Sequence, residues 1–278
     1  MKTIKTEPRL GASRYHIEAL ARGLDILELF SPQSPSLTLT DVASLLHLSR
    51  STLFRLLTTL ETLGYLERDP ATRRYRPSVK VLHLGFTVLN SLEVRQVARP
   101  HLERLAQEVQ ETVSLCVLDG DHVTYVDRVR NQSIVGVSLK TGSRIPAHCT
   151  TIGKVLLAEL EPDELDRFLR TTTFAQFTPR TMSDPETLRS ELMAVKRNGY
   201  ALCDGELAVG LRAAGAALYN HKRKAVASIN VSGAATTITV NRLKKIIVPA
   251  IVRTAAQISW ALGCPKTEIP GVWKTFLS

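Results

Sequence analysis

The sequence predicts an α+β protein. Its N-terminal third is helical and ends in a short hairpin, and the longer remainder is an α/β domain with a mostly antiparallel sheet. Three observations predict this. Apolar residues recur at helical spacing through residues 16–63. From residue 113 the texture changes to short runs rich in Val and Tyr. Asp119-Gly120-Asp121 separates two of those runs and is a hairpin signal.

Taken in order, HIEALARGLDILELF (16–30) predicts a first helix with Ile17, Leu20, Leu24 and Leu27 as its core stripe. LTLTDVASLLHL (37–48) predicts a shorter helix capped by Thr40, with Val42, Leu45 and Leu46 inward. A tight connection, His47-Leu48-Ser49, leads to RSTLFRLLTTLET from Arg50, capped by Ser49. There Leu53, Leu56, Leu57, Leu60 and Leu63 form one apolar stripe, and Ser51, Arg55, Thr58 and Thr62 lie opposite. Two short helices, a tight turn and a polar second helix are the helix-turn-helix pattern, whose second helix enters the DNA major groove. YLERDPATRRYRPS (65–78) alternates like two strands around Asp69-Pro70 and reads as a wing. The first domain is therefore a winged helix-turn-helix over residues 1–80. Residues 81–99 read as a linker helix, and Pro100 as the start of another helix running to about 112.

In the third domain, 100–278, the runs 113–118 and 122–129 are a predicted hairpin and 133–140 a third strand. Residues 151–160, 163–171 and 185–198 are helical. Tyr200–Cys203, 207–218 and 224–232 return to strand, with YNHKRK (219–224) as a turn, and a last long helix covers about 240–262.

Charge agrees with a polyanionic partner. The net charge is +10 and the isoelectric point is near 9.7. Residues 1–85 carry 12 Lys and Arg against 8 Asp and Glu, while residues 50–80 alone carry 7 against 3. All of the first domain's surplus thus lies on the polar helix and the wing. The first sixteen residues read as a loose tail with no apolar core, and no run of 18 apolar residues occurs. Neither a secretory signal nor a membrane span is expected, and the expected location is cytoplasmic. Cys116, Cys149, Cys203 and Cys264 are scattered, without CxxC or HxxxH spacing, so no metal site and no cofactor is expected.

With ARGLDILELF, LSRSTLFRLLTTLETLGYLERD, GSRIPAHCTTIGKVLLAEL (142–160), GYALCDGELAVGLRAAGAAL (199–218) and ASINVSG (227–233) in order, the chain resembles the IclR family of bacterial transcriptional regulators from about residue 16 to 263. The resemblance implies a GAF-like effector domain after the linker helix. It further implies a homodimer or dimer of dimers on a double-stranded DNA operator, and a small organic acid effector. Gly205-Glu206 where the family has paired acids, Ala217 where it has proline, and HKRK at a turn that often carries Gly are departures.

Arg50, Ser51, Thr52 and Arg55 are the candidate base and phosphate contacts, since Arg bonds guanine bidentately and Ser or Thr reach either. Arg73 and Arg74 on the wing are candidates for phosphate or the minor groove. Phe54 either meets a thymine methyl or packs on the first helix, and packing is the stronger expectation. The resemblance assigns the effector pocket to the helix start at Thr151, Ile152 and Gly153, whose free N–H groups suit a carboxylate. It adds Cys203, Asp204, Leu211, Ala213, Asn230 and Ser232. Asn230 and Ser232 share one strand face. Arg144 either pairs with an acid ligand or is a surface arginine. His148-Cys149 invites a metal or nucleophile reading, but no third ligand or orienting acid is spaced for it. An enzyme that processes small acids is the rival class. No GxSxG, P-loop, GxGxxG or HExxH supports it, and no catalytic residue is assigned.

Overall fold

The computed structural model describes residues 16–31, 33–84, 93–130 and 139–277. The chain divides into two compact units, residues 1–91 and 92–278. The expected tail 1–15, residues 85–92 of the expected linker helix and most of the expected strand 133–140 lie outside the described residues.

In the first unit, α1 (Glu18–Glu28), α2 (Leu39–Leu46) and α3 (Arg50–Thr62) precede a hairpin of β1 (Leu66–Arg68) and β2 (Tyr75–Pro77). The core is Ile26, Leu37, Val42, Leu46, Leu53, Leu57, Leu66 and Tyr75. Two expectations need correction. The cap of α2 is Thr38, not Thr40. Its hydroxyl accepts the Asp41 N–H at 3.2 Å, and Asp41 Oδ2 accepts the Thr38 N–H at 2.8 Å, a reciprocal capping box. Among the residues of α1, Ile26 is the one in the core, while Leu20 and Leu24, with Ile17 just before the helix, are 62%, 48% and 66% exposed. The helix is amphipathic as read, but rotated so that most of that stripe faces outward. Ser49 caps α3 through the Thr52 N–H, and His47 ends α2 in the left-handed region at φ 53°.

The second unit curls a six-stranded antiparallel sheet, order β5-β4-β3-β8-β7-β6. Its strands are β3 (Thr112–Asp119), β4 (His122–Val129), β5 (Arg144–Pro146), β6 (Ala201–Asp204), β7 (Leu211–Tyr219) and β8 (Ala225–Ala234). β5 is a strand that the sequence reading missed. Helix α4 (Glu93–Val109) runs through Pro100 rather than starting there. Val94, Ala98, Leu102, Leu105 and Val109 make one buried stripe across the proline. The burial of that stripe outweighs the hydrogen bond the ring removes.

Helix α5 (Thr151–Leu157) packs on β7 and β8, and is followed by α6 (Pro162–Thr171) and α7 (Pro185–Asn198). The expected last helix is real but not regular. A turn at Val240–Arg242 passes into a π segment, Leu243–Ile247, before α8 (Val248–Ala261). Pro249 has no N–H to donate back along the helix, and the helix widens just ahead of it, with the Val248 N–H reaching Leu243 O. The chain ends in α9 (Lys274–Leu277), preceded by Trp273, whose indole N–H bonds Gly199 O at 2.8 Å.

Candidate functional site

Two surfaces carry the chemistry, one in each unit. On α3, burial of Leu53 and Leu57 turns Arg50, Ser51, Thr52 and Arg55 outward, and all four are exposed. The Ser49, Ser51 and Thr52 hydroxyls form a chain at 3.1 and 2.9 Å, so the first turn of the helix is stiffened by its own cap. Phe54 is 51% exposed and lies outside the core of the first unit.

On the wing, Arg73 sits at the hairpin tip with φ 58° and is exposed. Arg74 does different work. Its Nε and Nη2 donate to Ser36 Oγ at 2.9 Å and Ser36 O at 2.7 Å, and Asp41 is 3.8 Å away. It pins the wing to the loop before α2 and is the least available of the six candidates. Arg76 is paired with Glu67 across the hairpin at 2.9 Å.

In the second unit, one face of the sheet, with α5 above it, encloses a cavity of about 60 Å³. Thr151, Cys203, Leu211, Ala213, Asn230 and Ser232, six of the ten residues singled out in the sequence, line it. Register explains the grouping. Thr112 pairs with Ser232, Ser232 with Ala213 and Ala213 with Cys203, so one row of the sheet presents four small residues to the cavity. A second row aligns Ser114, Asn230 and Gly215. A Cβ on Gly215 would come within 2.8 Å of Thr151 Cβ, so glycine is what lets α5 lie this close.

Four predicted residues are elsewhere. Asp204 follows Cys203 on β6 and so points to the other side, where it pairs with Arg212 at 2.8 Å and Arg180 at 2.8 Å. Those cations, Arg212 first, hold its carboxyl below the ordinary range. Arg144 is exposed and pairs with Asp119 at 3.1 Å. Ile152 is buried away from the cavity. Gly153 is packed on Ala147, and its N–H is taken by the Thr150 hydroxyl at 3.1 Å. One of the three N–H groups expected to hold a carboxylate is thus already taken by the helix's own cap.

The cavity's cation is one that the sequence reading missed, Arg128. On an unbroken strand Tyr125 and Arg128, three residues apart, would face opposite sides. β4 has a bulge at Val126, since Leu115 pairs with Asp127 and Cys116 with Tyr125. The bulge brings Tyr125 and Arg128 to the same side, with the guanidinium 5.7 Å from the ring centroid.

Four polar atoms around the cavity are buried without a hydrogen-bond partner among the described residues: Arg128 Nε, Thr151 Oγ1, Glu206 Oε2 and Asn230 Oδ1. Buried polar atoms are normally partnered, so four around one space mark a place for a polar guest. Burial pulls the Arg128 pKa down; Tyr125 opposes this, and nearby Arg130 adds to it. Glu206 is held from behind, its Oε1 accepting Lys154 Nζ at 2.7 Å, with Lys154 fully buried. Burial alone would lower the Lys154 pKa, but Cys203 and Glu206 outweigh it and leave it above the ordinary lysine value. The loop is fixed by Thr178 and Thr181, whose hydroxyls each donate at 2.6 Å to Gly205 O and Glu206 O.

His148 and Cys149 do not form a reactive pair. His148 Nε2 donates to Ala175 O at 3.1 Å, and the ring meets Phe174 edge-on at 5.3 Å. Burial lowers the imidazole pKa and pushes the Cys149 thiol up to about 12, so at neutral pH neither is charged. Among the described residues no cluster of three His, Cys, Asp or Glu could hold a metal, and no helix is long and apolar enough to cross a membrane.

Comparison with known proteins fits both surfaces. Residues 19–70 match the IclR helix-turn-helix domain, and residues 86–260 match the bacterial transcriptional regulator IclR C-terminal domain. The chain belongs to the IclR family. It is 35% identical over 216 residues to the HTH-type transcriptional regulator XynR of Escherichia coli K12, covering 78% of this chain and 86% of that one. A transcriptional regulator of Rhodococcus sp. RHA1 is 36% identical with a TM-score of 0.75, covering 89% of this chain and 98% of that structure. An IclR homologue of Microbacterium hydrocarbonoxydans, solved in complex with 4-hydroxybenzoate, is 26% identical with a TM-score of 0.74, covering 88% and 98%. IclR-family members are DNA-binding transcriptional regulators and not enzymes, which decides against the small-acid-processing reading.

Proposed function

We propose that α3 reads operator DNA while the cavity of the second unit takes a small hydroxylated carboxylic acid that alters that reading. The observation that carries the effector half is the set of orphaned polar atoms at one cavity, with Arg128 among them. A carboxylate supplies the acceptor that Arg128 lacks, and its negative charge offsets a half-buried cation. A hydroxyl on the same ligand supplies the donor that Glu206 Oε2 and Asn230 Oδ1 lack. The 4-hydroxybenzoate held by the Microbacterium homologue has this chemistry. The cavity of about 60 Å³ is smaller than the roughly 150 Å³ that holds a benzene ring, so an aromatic acid must widen it on binding, and that widening is how the ligand acts on the surrounding sheet. Operator binding measured by fluorescence anisotropy tests this reading. Affinity should respond to 4-hydroxybenzoate and not to 4-hydroxybenzamide, which lacks the charge. No response to any small hydroxy acid would defeat it.

For the DNA half, Arg50, Ser51, Thr52 and Arg55 read bases and phosphates in the major groove, with Arg73 on the wing touching phosphate. Arg55→Ala should weaken operator binding by about 1–3 kcal/mol and relax base preference at one position. A binding-site selection compared with wild type checks both effects.

The outward stripe of α1 supports a homodimer. Leu20, Leu24, Leu56, Leu60, Leu63 and Leu84 line an apolar groove of about 610 Å³ in the first unit, and Leu20, Leu24, Leu63 and Leu84 are each about half exposed there. A second copy covers the leucine-lined part of it, leaving Thr52 and Arg55, which line the part nearer the start of α3, to the DNA, and presents a second α3 to the other half of a two-fold operator. Leu24→Glu should halve the mass seen by light scattering and cut operator affinity; an unchanged mass excludes this surface.

A further inference from the structure

Resting on the acid-binding reading of the cavity, we propose that the adjacent pair Asp127–Arg128 on β4 couples the cavity to the first two turns of α4, the helix with which the second unit begins. The two side chains leave neighbouring backbone positions toward opposite sides of the sheet. Arg128 lines the cavity. Asp127, 4% exposed, faces α4. Its Oδ1 accepts Arg99 Nη1 at 2.8 Å and the Arg128 N–H at 2.7 Å. One carboxylate oxygen therefore joins the backbone of the cavity residue to a side chain of the helix.

The other oxygen is not yet engaged. Asp127 Oδ2 lies 3.6 Å from Arg95 Nε, an ion-pair distance, and neither atom has a hydrogen-bond partner among the described residues. Arg95 and Arg99 are one turn apart on α4, so Asp127 holds one turn firmly and the previous turn loosely. This gives the helix start two discrete arrangements, Arg95 loose or Arg95 bonded, separated by less than 1 Å of movement. The bulge at Val126 puts the irregular stretch of β4 directly beside the pair, where the ladder yields most easily. A carboxylate drawn onto Arg128 shifts residues 127–128, and Asp127 passes that shift to Arg95 and Arg99.

A double-mutant cycle read by amide hydrogen exchange over residues 93–99 tests the link without needing the ligand. Arg128→Met should change exchange there by about threefold or more in the wild-type background, near the low end of couplings carried by packed networks. In an Asp127→Asn background the same change should have no effect. The double change Arg95→Gln, Arg99→Gln cuts both arms of the same link from the partly exposed side and should give the same silence, so the result does not hang on one buried substitution. Equal responses in all three backgrounds would overturn the proposal. The acid reading fails separately, if neither benzoate nor 4-hydroxybenzoate raises the melting temperature of the wild-type protein.

Discussion

Gly153→Ala should lower the melting temperature of the second unit by about 6–12 °C. A Cβ at this position overlaps the carbonyl oxygen, Cα and carbonyl carbon of Ala147. Overpacking costs about 1–3 kcal/mol where side chains can yield, and more where they cannot. Here the obstacle is backbone, and it is tied down. The Ala147 N–H donates to Asp121 O at 3.0 Å, and Ala147 O accepts the Thr150 N–H at 3.3 Å. The start of α5 must therefore shift, and with it Thr151, which packs on Gly215 and lines the cavity. About 3 kcal/mol at 2–4 °C per kcal/mol gives the stated shift. Gly23→Ala is the control. Nothing lies within 4 Å of a Cβ there, and the residue is inside α1, so the change should leave stability equal or raise it by roughly 0.5–1 kcal/mol. Differential scanning calorimetry of both variants separates the two. If Gly153→Ala melts with wild type, the close packing that shapes the cavity is not tight.

How legible these features were in the sequence depends on how local each signal is. The α2–α3 pair was read almost to the residue, because its caps and stripe lie within a dozen residues and the buried Leu53 and Leu57 are one turn apart. The cap of α2 slipped by two residues because Thr38 and Thr40 are equal candidates until the partner Asp41 is counted. In α1 the period was right and the rotation wrong. Periodicity shows that a helix has an apolar side, not which apolar residues meet this core. The hairpins at 120 and 221 were visible from their turn residues, whereas β5, three residues long, carries no pattern of its own.

The cavity was read well where register is regular and missed where it is not. Asn230, Ser232, Ala213 and Cys203 sit in ordinary ladders and were found. Asp204 was included through the family resemblance, though strand alternation already argued that only one of Cys203 and Asp204 faces the cavity. Arg128 was hidden by the bulge, since nothing in HVTYVDRV announces an extra residue at Val126. Of the two readings of Arg144, the exposed position and the pairing with Asp119 agree with a surface arginine.

Arg128→Met should produce two changes of opposite sign, and their combination is what identifies an acid site. Without ligand, Arg128 keeps a buried Nε with no partner among the described residues and a charge that burial disfavours. Methionine fills comparable length with neither liability, and it keeps contact with the Tyr125 ring through sulfur. The unliganded variant should therefore melt at or above the wild-type temperature. With an acid present the order reverses. A ligand at about a hundred times its Kd stabilises the wild type by about 2.7 kcal/mol, roughly 5–11 °C for a domain of this size. The variant should lose most of that gain, because the carboxylate then enters a cavity whose remaining polar atoms include the Glu206 carboxylate. Arg128→Lys should fall between the two, since an ammonium keeps the charge but not the two-pronged contact. Neutral 4-hydroxybenzamide should shift neither protein much. If Arg128→Met melts lower than wild type without ligand and gains as much from 4-hydroxybenzoate, the guanidinium is a structural group stacked on Tyr125, and the acid lies against other residues.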